Sequence, residues 1–253
     1  MALPPSSLSS TQIALFYQQG YLHLEIFFSL HEVAEMSTAI AHLQEMAQSL
    51  EGKVMHQGSQ FVVDKGIIRR VVWAGAAEPV LLKYGRDPRL TSIAAEILGS
   101  DHADHLINQV HFKLPQDGVF YPWHQDIYHR KKDTIWTDVN GRGSFVQLLT
   151  AIDEAALDNG PLYCIPGSCR EGDLDLPYNE TKQTISDKFD PAEAVPVLMR
   201  PGDLAVFGPY TVHGSYDNTS GKSRRAFING YASSGANRKV YPGEGAGELV
   251  KLR

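Results

Sequence analysis

From residue 105 onward the chain is cut into short β-rich runs: "HLINQVHFKL", "SFVQLLTAID", "GPLYCIPGS", "VPVLMR", "DLAVFGPYTVHGS" and "RRAFINGYA". Pro, Gly, Asn or Asp bounds most of them. Runs of this length and composition, broken by turn residues, form strands. The pattern predicts an antiparallel sandwich or barrel over about residues 105–235, with helices packed outside. The preceding part, about 1–104, reads as helical. Ser9 with Gln12 and Ser29 with Glu32 make two capping boxes. Gly20 ends the first helix, and "YLHLEIFF" then alternates like a strand. The second helix carries Val33, Met36, Ile40, Leu43 and Met46 at three-and-four spacing, a single buried stripe, and Gly52 is expected to close it. A third helix runs from Pro88 to Leu98 and stops at Gly99. Residues 170–194 are polar and aperiodic, a long loop or lid. No repeat or low-complexity linker interrupts the chain, and its 253 residues read as one domain.

Charge and cysteine usage narrow the function. A net charge of −6, with no run of like charges, argues against nucleic acid or an anionic membrane as the main partner. No apolar stretch is long enough to span a bilayer, and "MALPPSSLSS" lacks the basic and apolar regions of a secretory signal. The two cysteines, Cys164 and Cys169, flank a turn; they suit a reducing cytoplasm and make a poor zinc site by themselves. Cys164 reads as a small core residue and Cys169 as a loop residue.

The chemistry concentrates in "YPWHQDIYHR", residues 121–130. Residues two apart on a strand point the same way, so His124 and Asp126 can aim a nitrogen and an oxygen at one ion. His213, at the end of "GDLAVFGPYTV", is the candidate third ligand. Two histidines and one carboxylate on one face leave three positions open, the arrangement of non-haem Fe(II) oxygenases. A His-x-Asp also arises by chance, and "DHADH" supplies a second one in His102 and Asp104. That stretch follows Gly99 and reads as a solvated loop. Beyond His213, a turn at 217–222 leads into a strand beginning with Arg224 and Arg225. Either arginine can bind a carboxylate in a two-pronged way; alternatively the pair blunts a sheet edge. The sequence does not say which of them faces inward.

Taken in order, "WHQD", "NGPLYCIPGSCREG" and "PGDLAVFGPYTVHGSYDNTSGKSRRAFINGYA" resemble the phytanoyl-CoA dioxygenase family, and "LSSTQIALFYQQGYLHLEIFFSLHEV" is similar to that family's opening. The resemblance covers nearly the whole chain. It implies a double-stranded β-helix (a jelly roll, cupin-like, mainly β with flanking α-helices) and an Fe(II)- and 2-oxoglutarate-dependent dioxygenase. His124, Asp126 and His213 match the metal ligands. Arg224 matches the arginine that holds the far carboxylate of 2-oxoglutarate, and Ser215 a position that often bonds the same group. In "NQVHFK", Gln109 falls on a cosubstrate-contacting position, while His111 stands where related members carry another residue, so its role is open. The implied reaction uses O2, releases succinate and CO2, and converts a C–H bond to an alcohol. The presence of Asp126 favours hydroxylation over halogenation.

The substrate is not legible. "IYHRKKDTIW" holds Tyr128, His129, Arg130, Lys131, Lys132 and Trp136, a pocket mouth favouring an anionic or polar substrate or else a solvated basic loop. Trp123 and Tyr163 either wall the site or belong to the core, and for Trp123 the core is expected. The compact chain favours a small metabolite over a fatty acyl-CoA, handled by a cytoplasmic monomer or homodimer. Two other readings stand beside the oxygenase: a jelly-roll metalloprotein that does not use 2-oxoglutarate, and a non-catalytic barrel that binds a small ligand.

Overall fold

A computed structural model describes residues 7–131 and 136–253. Helix α1 (Ser10–Gln19) leads into strand β1 (Tyr21–Leu24), and helix α2 (Leu30–Ala47) follows. Both expected capping boxes form: Ser9 and Ser29 accept from Gln12 and Glu32, whose side chains reach back. Val33, Met36, Ile40 and Leu43 are buried as one stripe. Two boundaries differ from expectation. Strand β1 stops at Leu24, because Phe27 and Phe28 are both buried while Ile26, at φ 53°, turns the chain. Helix α2 ends at Ala47, and Gly52 instead opens a strand.

The larger difference lies in residues 52–72. They form a three-stranded meander of β2 (Gly52–His56), β3 (Ser59–Asp64) and β4 (Ile67–Val72), where the sequence was read as part of a helical region. Two-residue turns join the strands, Gln57-Gly58 and Lys65-Gly66, with all four residues at positive φ. Both φ values positive is the tight hairpin geometry that matches strand twist. Three helices follow, α3 (Ala74–Ala77), α4 (Pro79–Gly85) and α5 (Pro88–Leu98), the last capped by Asp87 and stopped by Gly99 as expected.

Then come β5 (His102–His111), β6 (Tyr121–His124), helix α6 (Ile127–Lys131), β7 (Phe145–Ala151), β8 (Leu162–Cys164), β9 (Val195–Val197), β10 (Leu204–Phe207), β11 (His213–Ser215), β12 (Ala226–Ser233) and β13 (Glu248–Lys251). "DHADH" is strand, not solvated loop. His102 and Asp104 pair with Lys251 and Leu249 of β13, which satisfies their backbone groups inside a sheet. Residues 172–190 carry no helix or strand.

Two antiparallel sheets make the jelly roll. The major sheet has nine strands in the order β1-β10-β7-β12-β5-β4-β3-β2, with β13 also on β5. The minor sheet runs β6-β11-β8-β9. Alternation divides the major sheet's faces. Val110, Phe112, Val146, Leu148, Val206 and Phe227 point outward into the main core, which α2, α4 and α5 cover. Gln109, His111, Gln147 and Ile228 point inward and line a cavity between the sheets. The nine-stranded sheet thus presents an apolar face to the helices and a partly polar face to the site, as period-two alternation requires. Cys164 is a buried core residue and Cys169 a half-buried one on a short 3₁₀ turn; both are free thiols. Among the described residues, no helix is long and apolar enough to cross a membrane.

Candidate active site

The cavity has a volume of about 650 Å³ and is walled by both sheets. At its centre lie His124, Asp126 and His213, whose ligand atoms all fall within 4.8 Å of one another. Strand register produces this. His124 ends β6, and His213 opens β11 directly opposite it. Asp126 follows two residues later, at the turn into α6. Its carboxylate oxygens lie 3.9 Å from His124 Nε2 and 4.0 Å from His213 Nε2.

The imidazoles are oriented by the backbone. His124 Nδ1 sits 2.7 Å from the Pro122 carbonyl, and His213 Nδ1 sits 2.9 Å from the Thr211 carbonyl. Each carbonyl accepts the Nδ1 proton and leaves the Nε2 lone pair facing its neighbour, which fixes the ring and its tautomer as metal-binding histidines require. Burial, reinforced by His213, pushes the His124 imidazolium down to a pKa of about 3. Burial alone would raise the Asp126 carboxyl; His213, His124, Arg130 and the Gln147 amide outweigh it and hold that carboxyl below its ordinary value. The Gln147 amide donates to Asp126 Oδ2. One anionic and two neutral donors, each already fixed from behind, fit a divalent first-row metal with open coordination positions.

A second cluster reaches the cavity through Arg224 and Ser215, which line it, with Lys113 buried behind them. Arg224 is buried, and its Nη2 donates to the Gly160 carbonyl at 2.6 Å and to Ser215 Oγ at 3.1 Å. Lys113 is completely buried beside it and donates to the same Ser215 hydroxyl and to the Tyr216 carbonyl. The two residues exchange backbone hydrogen bonds, so their side chains leave one face of the sheet together. Neither forms an ion pair with a described carboxylate, and Arg224 Nε is buried with no partner. Burial, with Arg224 beside it, lowers the Lys113 ammonium to a pKa of about 6; burial lowers Arg224 to about 10. A buried guanidinium beside a buried lysine, neither of them ion-paired, forms a seat for an anion. Arg225, by contrast, faces the other way and is saturated by Asp153, with Nε–Oδ2 and Nη2–Oδ1 both 2.8 Å.

Gln109 and His111 line the same cavity. His111 stacks on Tyr121 at 4.9 Å, its Nε2 is buried without a partner, and burial followed by Arg70, Arg224 and Lys113 keeps it neutral. Lys113 was missed in the sequence, yet it continues the Gln109, His111 alternation by one step. Tyr128, His129 and Arg130 line the cavity, whereas Lys131 pairs with Asp173 and Asp175. Lys132 lies outside the described residues. Trp123 is core, packed with Ile165, Leu176 and Val212, and Tyr163 packs against that cluster. Trp136 meets Phe145 edge to face, with ring centroids 6.3 Å apart.

Comparison with known proteins agrees with this geometry. An ectoine dioxygenase of Bordetella parapertussis is 26% identical over 237 residues, covering 85% of this chain and 72% of the relative. An L-proline trans-4-hydroxylase of Streptomyces griseoviridis is 27% identical over 206 residues, covering 72% and 74%. The crystal structure of EctD from S. alaskensis with bound Fe superposes with a TM-score of 0.69 at 25% identity, over 93% of this chain and 80% of that one. Residues 16–226 match the family described as Phytanoyl-CoA dioxygenase (PhyH), and the chain belongs to that family of iron- and 2-oxoglutarate-dependent oxygenases.

Proposed function

We propose that the protein hydroxylates an aliphatic C–H bond of a small metabolite, with His124, Asp126 and His213 holding Fe(II) and with Arg224, Ser215 and Lys113 holding the far carboxylate of 2-oxoglutarate. The reading treats the whole chain as one catalytic domain. The observation that carries it is the pairing of a buried two-histidine, one-carboxylate cluster with an uncompensated cationic seat in the same cavity. A metalloprotein that did not use a dicarboxylic cosubstrate would have no use for that seat.

His124, Asp126 and His213 would hold the iron, which would supply with O2 an oxidation that gives one oxygen atom to the substrate and the other to succinate, with release of CO2. The chain's own residues do the rest. The Pro122 and Thr211 carbonyls fix the imidazoles. Gln147 holds the Asp126 carboxylate in place. Arg224 and Lys113 neutralise an anion that would otherwise be costly to bury. Leu149, Leu162, Phe207 and Ile228 line the cavity with apolar surface and limit stray water. A cavity of this size suits a small molecule beside the keto acid rather than a fatty acyl chain.

The direct test is an anaerobic titration of apoprotein with Fe(II) and then 2-oxoglutarate. A weak visible charge-transfer band should appear only when both are present. Iron binding with no band would overturn the cosubstrate assignment.

The seat also makes a pH prediction. In the free protein the Lys113 ammonium loses its proton near pH 6. A bound carboxylate favours the charged form and raises that pKa. Between about pH 6 and the raised value, binding must take up a proton, so affinity for 2-oxoglutarate falls as pH rises, by up to about tenfold per unit. Calorimetry of metal-loaded protein at pH 7.5, in buffers of different ionisation enthalpy, should report uptake of about one proton. K113M should report none. Equal uptake in both proteins would remove Lys113 from the seat.

A further inference from the structure

The cavity has a second cation site that the metal and the keto acid leave unused. Strands β2–β4 place a row of residues directly opposite one another across the sheet: Lys53 faces Val62, Val62 faces Arg70, and Arg70 faces His111. Opposed residues leave the sheet on the same side. Because His111 lines the cavity, Arg70 and Lys53 must point toward it, and both do.

Arg70 is half-buried there. It forms no hydrogen bond or ion pair with a described residue, and its Nε is buried without a partner. Burial lowers His111, and the Arg70 charge beside it acts in the same direction. Its neighbour Arg69 points the other way and is saturated by Asp64 at 3.1 Å and Asp117 at 3.7 Å. This repeats the division between Arg225, saturated outside, and Arg224, uncompensated inside. Around Arg70 the cavity wall also carries Lys53, Arg130 and Lys239; among the described lining residues the carboxylates are Asp126 and the exposed Glu180. Arg130 is already fixed, its guanidinium over the Phe145 and Tyr241 rings and bonded to the Tyr241 hydroxyl. A basic cavity in a chain of net charge −6 is selective for negative charge.

Arg70 does not belong to the seat at Arg224. Residue 111 stands opposite both Arg70 and Ala226, so β5 separates the two arginines, and Arg224 lies two residues before the start of β12. With strand spacings of 4.8 Å and rises of 3.3 Å, their Cα atoms are roughly 12 Å apart. On the proposed function, Arg224 would hold one carboxylate of the keto acid, which leaves Arg70 outside that contact.

We propose that Arg70 is the specificity residue for the substrate's acid group: the substrate is a small anion, carboxylate in kind, whose charged end seats on Arg70 and whose reacting carbon lies toward His124, Asp126 and His213. The inference rests on the oxygenase reading of the site. The two-pronged geometry of a guanidinium meets a carboxylate along one edge, which fixes the anion's direction as well as its position.

The test uses protein loaded with Mn(II), as an oxidation-inert stand-in, and saturating 2-oxoglutarate. Benzoate and benzamide, nearly equal in shape and different in charge, are titrated calorimetrically. Benzoate should bind at least about tenfold tighter than benzamide to the parent protein. R70Q should reduce that preference to under about twofold while leaving 2-oxoglutarate affinity within about twofold of the parent's. Equal or absent binding of the two probes to the parent overturns the proposal, as does a preference that survives R70Q. If R70Q does not fold, R70K replaces it. R70K keeps the charge and loses the fork, so it should cut the preference by about threefold or more, and an unchanged preference overturns the assignment. A fall in 2-oxoglutarate affinity in R70Q equal to that in an Arg224 variant would move Arg70 to the cosubstrate seat. That outcome sinks this inference and leaves the oxygenase reading intact. Failure of the parent to bind 2-oxoglutarate at all would sink the oxygenase reading instead.

Discussion

Asp126→Ala should lower 2-oxoglutarate-dependent succinate formation by at least about a thousandfold. The carboxylate is the only anionic group among the three donors, and its two oxygens face both imidazoles. Without it, two neutral imidazoles remain in a buried site, and a divalent ion placed there would lack charge compensation. Metal affinity should therefore fall with turnover, which equilibrium dialysis against Fe(II) or Mn(II) would measure. Asp126→Asn separates charge from shape: it can keep the contact with Gln147, yet it should fail to hold metal. If either variant binds iron as tightly as the parent, His124, Asp126 and His213 are not the metal site. Loss of folding is a separate outcome, visible in the thermal melt, and Asp126→Asn is the variant less prone to it.

Arg224→Ala carries the second largest expected effect. Removing one member of a buried, charge-assisted contact costs about 2–5 kcal/mol. Lys113 and Ser215 remain to bind the carboxylate, so the lower part of that range applies. The dissociation constant for 2-oxoglutarate should rise about a hundredfold, equivalent to roughly 2.7 kcal/mol. Metal binding should not change, because Arg224 touches none of the three metal-facing residues. Arg224→Lys should recover only part of the loss, since a point charge cannot reproduce the guanidinium's contacts to Gly160 and Ser215 together. Unchanged 2-oxoglutarate affinity in Arg224→Ala would remove the cosubstrate seat from this part of the cavity.

How much of this was legible in the sequence depends on where the chain uses ordinary local signals. The capping boxes at Ser9 and Ser29 and the Gly stops at residues 20 and 99 follow general rules, and those helices start and stop as expected. The β2–β4 meander was hidden because its turns are Gln-Gly and Lys-Gly. These are less recognisable than Asn-Gly or Asp-Gly, although they adopt the same positive-φ geometry. Its strands also carry polar residues toward the cavity, which blurs the alternation a half-buried strand normally displays. Lys113 escaped for a different reason. A lysine at a strand end reads as solvent-facing, and only its backbone pairing with Arg224 reveals that it is buried. Spacing alone could not resolve the arginine pair at 224 and 225, because neighbouring strand residues always point apart; only the family resemblance pointed to Arg224. The physical reason for that direction is Asp153, distant in sequence, which takes Arg225.

His124 and His213 stand opposite each other as a cross-strand pair, 213 − 124 = 89 positions apart in the chain. The distance between their ring nitrogens is thus measured by peptide pairing and not by the length of chain between them. Evolution or design can lengthen or shorten the excursion in its loops, at 138–143 or 172–190, without altering the ruler. A single residue inserted within β6 or β11 would instead move one imidazole to the opposite side of its sheet. Tolerance to insertion should therefore change abruptly at the strand boundaries, being broad in the loops and nil within these three- and four-residue segments.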